Sequence, residues 1–218
     1  MNLASRSAWS TRSTPLATRV SRASSCWRTL AAWSAVACAA RGHVATPEEM
    51  ARLRETTGLV TSGRITLEGP AGRFSTRVVL GVARPDSLRL EIPAGAGLRF
   101  LLVAKGERLR TDLPQDDAMF EGPGTSEVMD RLFGIDVEPK LLVAAILGNP
   151  STAFSVDWRF DGARPVRITL RDAKGSKLTL TLDDPETEAP AERAFTFGPA
   201  RRESWTLEEM SSRLGLKR

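Results

Sequence analysis

From Gly58 to Leu182 apolar and polar side chains alternate with a period of two, the pattern of strands with one buried and one wet face. Ile65 and Leu67 point one way, with Arg64, Thr66 and Glu68 opposite. Beyond a turn at Gly69-Pro70-Ala71-Gly72, Phe74, Thr76, Val78, Leu80 and Val82 continue the apolar row against Arg73, Ser75 and Arg77. Three further rows follow: Leu88, Leu90 and Ile92; Leu98, Phe100 and Leu102; Leu109, Thr111 and Leu113. The pattern returns in Phe154, Val156, Trp158 and Phe160, with Asp157 and Arg159 facing water. It continues in Val166, Ile168 and Leu170, then in Leu178, Leu180 and Leu182, and Phe195 with Phe197 is expected as a last strand. Strands separated by such closely spaced turns imply an antiparallel sheet of about nine to eleven strands.

Helices are few and short. Thr46-Pro47-Glu48-Glu49 is a capping box with proline in the first turn, so a helix starts there and stops before Gly58. Thr125 caps a second, which carries Val128, Met129, Leu132 and Phe133 and ends at Gly134. Pro139 opens a third, apolar nearly all round through Leu141, Leu142, Val143, Ile146 and Leu147, which must therefore cover something apolar. Thr206-Leu207-Glu208-Glu209 caps a last one, striped by Leu207, Met210 and Leu214. So large a sheet offers more apolar face than these helices fill, so it either curls on itself or keeps a cavity.

Charge alters the picture only at the N-terminus. Arg6, Arg12, Arg19, Arg22 and Arg28 lie in residues 1–38, which hold no Asp or Glu, leaving 26 basic and 26 acidic residues in 39–218. The net charge of +5 is thus a property of the leader, and nucleic acid is not an expected partner. His43 is the only histidine, and Cys26 and Cys38 both precede the body. That excludes His-based triads, cysteine nucleophiles, zinc sites and disulfides from residues 47–218 and implies no cofactor. Asp116-Asp117 and Asp183-Asp184 flank prolines and read as turn chemistry. Arg73, Arg77, Arg89 and Arg99 are broken up by Glu68 and Glu91 and read as a solvated outer face, and His43 as exposed linker.

Thr29–Ala40 is uncharged between Arg28 and Arg41, too short to span a bilayer but suited to the core of a secretory signal. The Ser/Arg/Thr-rich stretch before it reads as translated upstream sequence, with the start expected near Val20. Ala35-Val36-Ala37-Cys38 resembles the lipobox of bacterial lipoproteins, which implies acylation of Cys38 and cleavage before it; ordinary signal cleavage near Ala40 is the alternative. The expected organisation is a leader at 1–38, a short linker at 39–46 and one domain at 47–218.

Val128–Pro150 also resembles the central segment of LolB, the outer-membrane lipoprotein receptor family, within the LolB/LolA-like envelope lipoproteins. Leu132, Gly134, Ile135, Pro139, Leu141, Leu147, Gly148 and Pro150 occupy the motif positions. The family's projecting leucine is missing, because Pro93-Ala94-Gly95-Ala96-Gly97 carries no large apolar residue. The resemblance implies a mainly β fold with short helices (α+β), an incomplete antiparallel β-barrel under a helical lid. Its ligand cavity would be lined by Val78, Leu80, Leu88, Leu90, Phe100, Leu102, Leu109, Trp158, Phe160, Ile168 and Leu180, and the lid would present Met129, Leu132, Phe133, Leu142 and Ile146. The implied partners are acyl chains of lipoproteins or lipids, a periplasmic carrier protein, and the outer membrane through lipidated Cys38. Such a protein would be a monomeric, non-enzymatic lipoprotein of the periplasmic face that transfers acyl chains to the outer membrane. The alternative is a structural envelope lipoprotein with a fully packed sheet and no ligand.

Overall fold

The computed structural model describes residues 42–70, 72–95, 97–199 and 202–214. The leader, with Cys38, lies outside the described residues. A first antiparallel meander runs through β2 (Gly58–Gly69), β3 (Gly72–Ala83), β4 (Ser87–Ala94), β5 (Gly97–Lys105), β6 (Arg108–Leu113) and β7 (Ala118–Pro123). A second comprises β8 (Phe154–Asp161), β9 (Arg164–Asp172) and β10 (Lys177–Glu186). Pairing of β10 with β2 joins the two, and β1 (His43–Val44) and β11 (Glu203–Ser204) form the edges of one eleven-stranded sheet. Among the described residues only the β11–β7 pair is parallel. The sheet is an open, incomplete barrel.

Register follows the apolar rows. Leu80 sits opposite Leu90, Leu90 opposite Leu102 and Leu102 opposite Thr111. On the other side of β2, Ile65 pairs with Leu180 and Leu180 with Ile168. A slip of one residue would turn all of these to water, so burial of one face fixes the register. Gly63 serves the β2–β10 junction, where a Cβ would lie 2.0 Å from the Thr181 carbonyl oxygen.

Helix α1 (Pro47–Glu55) begins with both halves of the capping box: the Glu49 N–H donates to Thr46 Oγ1 and the Thr46 N–H to Glu49 Oε2. Helices α2 (Ser126–Phe133) and α3 (Pro139–Ile146) cover the inner face, and α4 (Leu207–Arg213) packs on α2 through buried Met210.

The chain after β10 departs from expectation. Phe195 and Phe197 form no strand; Glu192–Phe195 is a single 3-10 turn laid on the outer face, with Phe195 fully buried. Pro190 lies 3.2 Å from where a Gly81 Cβ would stand, and the Ala189 Cα lies 2.6 Å from where a Gly58 Cβ would stand. Arg89 donates to the Ala194 carbonyl at 2.8 Å, and Phe197 stacks under Arg108. The strap buries Arg110, which donates to the Gly198 carbonyl and pairs with Asp112 at 3.1 Å. The outer face expected to be wet is therefore partly dry. Residues 39–46 are also not all linker, because His43 and Val44 add an edge strand to β8, with His43 2.8 Å from Glu49.

Candidate functional site

The helices α2 and α3 are built and pinned by identifiable contacts. Thr125 Oγ1 accepts from the Val128 N–H, and Gly134 at φ 69 ends α2 in the left-handed conformation that glycine adopts without strain. Five of the eight residues of α3 are buried. Its C-terminal carbonyls are held by two guanidinium groups: Arg84 donates to Leu147 at 2.8 Å and Arg54 to Gly148 at 3.0 Å. Arg84 also reaches the Thr56 and Arg54 carbonyls at the end of α1. The Trp158 indole N–H donates to the Ala145 carbonyl at 3.1 Å.

On α2, Arg131 meets Glu208 of α4 at 2.5 Å, and the Ser211 hydroxyl donates to the Arg131 carbonyl. The link between α2 and α3 is tied to the β9–β10 turn, where the Asp136 N–H donates to buried Asp172 at 3.0 Å. Lys174 bridges Asp130 and Asp136 at 3.1 and 3.0 Å. Hydrogen bonds to Asp136 and then to Asp130 hold the Lys174 ammonium pKa above its ordinary value.

Two apolar spaces adjoin this assembly. The first, beneath the helices, is about 20 Å³, with a lining that exposes no polar surface. The second is a cleft of about 300 Å³ that opens to solvent beside the β2–β3 and β4–β5 hairpins and the end of α4. Ile65, Leu67, Leu90 and Phe133 line both, so Phe133 stands where the cleft meets the space beneath the helices. Its ring packs edge-on against Phe100, with centroids 5.7 Å apart and planes at 83°. At the cleft mouth Arg213 grips Asp116 through two hydrogen bonds, 3.0 and 2.7 Å long. Those bonds and the arginine's charge hold the Asp116 carboxyl below its ordinary pKa.

The structure sorts the residues expected at a ligand cavity into four settings. Leu80, Leu88, Leu90, Leu102 and Leu180 border the space beneath the helices, as do Met129, Phe133, Leu142 and Ile146 from the helices. Phe100, Leu132, Leu90 and Phe133 border the cleft. Val78, Leu109 and Ile168 are buried in the same core without reaching either space. Phe160 belongs elsewhere, in a separate cluster with Met50 and Leu53 of α1, and half-buried Trp158 lies between the two clusters. The ladder of β8 with β9 shifts between Arg159 and Phe160, because Val166 of β9 is an extra residue without a partner there.

Several cleft residues went unforeseen. Ile65, Leu67, Phe74 and Ile92 stood in the inward rows of the sequence, and that periodicity was the signal for them. Gln115, Asp116, Arg213 and Leu214 reach the cleft by tertiary contact of the C-terminal helix with the β6–β7 turn. Arg99 was expected on the solvated outer face; it is exposed, and it lines the cleft.

The chain is similar in fold to several solved structures. A LolA superfamily protein from Nitrosomonas europaea is 12% identical and aligns over 69% of this chain and 95% of its own, with a TM-score of 0.41. An outer membrane lipoprotein-sorting protein domain from Vibrio parahaemolyticus is 10% identical over 68% of this chain and 94% of its own, with a TM-score of 0.37. The lipoprotein LppX of Mycobacterium tuberculosis is 13% identical over 68% and 99%, with a TM-score of 0.32. No family model and no curated protein sequence matches the chain.

Proposed function

We propose that this protein binds the acyl chains of lipoproteins or lipids between the inner face of its sheet and helices α2 and α3, and passes them to the outer membrane. The reading includes a lipid anchor at Cys38, a periplasmic carrier as donor, and action as a monomer without bond-making chemistry. One observation supports it above the others: a largely apolar cleft of about 300 Å³ that opens to solvent shares Ile65, Leu67, Leu90 and Phe133 with the space under the helices.

Energetics define what such a site must do. A chain of roughly 15 methylenes gains about 12 kcal/mol on leaving water, at about 0.8 per CH₂. A carrier has to match most of that gain and fall slightly short of the bilayer. The lining of Leu, Ile, Phe and Met supplies the apolar surface. The cost of parting the helices from the sheet lowers the net affinity below that of a preformed cavity, which favours release. The space under the helices, about 20 Å³, admits no chain as it stands, so binding requires α2 and α3 to lift.

That same small volume favours a second reading, a structural lipoprotein whose sheet is fully packed. Titration with a fluorescent fatty acid, followed by displacement with an unlabelled one, separates the two. Saturable, displaceable binding is expected. Its absence would leave the packed structural reading.

A further inference from the structure

We infer that the cleft takes a single-chain fatty acid whose carboxylate is held by Arg99. The inference rests on the acyl-binding reading and adds the head group and the number of chains.

Three observations carry it. First, Arg99 occupies a bulge: Ile92 pairs with Phe100 and Pro93 with Leu98, so Arg99 has no partner across the β4–β5 ladder. In a regular strand Arg99 would point away from the face that Phe100 occupies. A bulge lets neighbouring side chains share a side, and Arg99 does line the cleft together with Phe100 and Ile92.

Second, the charges at the mouth leave one cation over. Arg213 is matched by Asp116. Among the described residues the Arg99 guanidinium has neither an ion-pair partner nor a hydrogen bond. Neighbouring Glu91 is already engaged by Arg89 at 2.6 Å. A largely apolar cleft whose mouth carries one uncompensated guanidinium beside the Arg213–Asp116 pair complements an amphiphile with one negative charge, and the planar fork of arginine matches a carboxylate.

Third, size selects one chain. A volume of about 300 Å³ is at the lower end for small-molecule sites and suits one chain while α2 and α3 stay down. From Arg99 the chain would pass Ile92 and Phe100 toward Phe133, with exposed Phe74 as the outer lip.

The test compares dodecanoate with dodecanol, equal in chain and different in charge, by displacement of a neutral fluorescent acyl probe from the full chain at about pH 8. Dodecanoate should bind about tenfold more tightly, the scale of one solvent-accessible charge-assisted hydrogen bond. Arg99→Gln should abolish that preference and leave dodecanol affinity unchanged, and Arg99→Lys should restore part of it. An unchanged melting temperature for Arg99→Gln is expected because the side chain is exposed. Equal binding of the two amphiphiles to the parent, or a preference that survives in Arg99→Gln, would overturn the role of Arg99 and leave acyl binding standing. Failure of both amphiphiles to displace the probe, with no direct binding of either, would overturn the acyl-binding reading and this inference with it.

Discussion

Truncation of Phe133 separates a gating ring from a merely packed one. The ring is half-buried, leans edge-on against Phe100 at 5.7 Å, and stands between the open cleft and the space under the helices. Removing a fully buried phenylalanine costs about 3–5 kcal/mol. For a half-exposed ring, including about 0.5–1.5 kcal/mol from the aromatic pair, Phe133→Ala should cost about 2 kcal/mol. For a chain of this size that lowers the melting temperature by about 4–8 °C. If a ligand chain has to pass the ring, the ring must first leave Phe100 and expose its buried side, a barrier of similar size. Its removal should then speed association by about 10–30-fold, at roughly 1.4 kcal/mol per decade. Stopped-flow mixing with a fluorescent fatty acid measures the rate, and a thermal melt measures the cost. A lower melting temperature with an unchanged association rate would refute the gating argument and assign the ring to the core alone.

Cys38→Ser should move the protein from the membrane fraction to the soluble periplasmic fraction, and intact-mass analysis of the parent should show an acylated terminus at Cys38. Arg84→Ala removes donors from the carbonyls of Arg54, Thr56 and Leu147, and should cost about 2 kcal/mol, or about 4–8 °C in the thermal melt. Acid should loosen the C-terminal helix. Asp116 is held below its ordinary pKa by hydrogen bonds from Arg213, and Glu209 by the Thr206 backbone N–H. Each is lower in the folded than in the unfolded chain, so its stabilisation is complete above the unfolded value near 4 and is lost as pH falls through the folded one. The melting temperature should therefore be flat between about pH 6 and 8 and drop below about pH 4; a fall that begins near pH 6 would contradict this assignment.

Period-two alternation made the register legible, because a strand buried on one face leaves no freedom to slip. The inward direction of Leu80, Leu90 and Leu102 emerged from spacing alone, and the structure sets them opposite one another. Local hydrogen-bond chemistry made the capping boxes at Thr46 and Thr206 equally plain. What escaped was set by single-residue insertions and by contacts between distant segments. The bulge at Arg99 turns toward the cleft a side chain that strict alternation assigns to the other face, and an unpaired Val166 in β9 breaks the ladder beside Phe160. The spacing of Phe195 and Phe197 mimics a strand, yet Phe195 anchors a strap that no other strand pairs with. Nor does any local pattern foretell that Arg213 crosses to Asp116, because that pairing depends on where the strap delivers the last helix.

The central claim, that a chain runs from the cleft to beneath the helices, is tested most directly by isoleucine methyl spectroscopy with a fatty acid carrying a nitroxide near its chain end. Ile92 borders only the cleft, Ile65 borders both spaces, Ile135 and Ile146 border only the space under the helices, and buried Ile168 borders neither. The spin label should broaden Ile135 and Ile146 most strongly and Ile168 least. Broadening of Ile92 alone, with Ile135 and Ile146 untouched at saturating ligand, would show that α2 and α3 do not lift and would contradict the account.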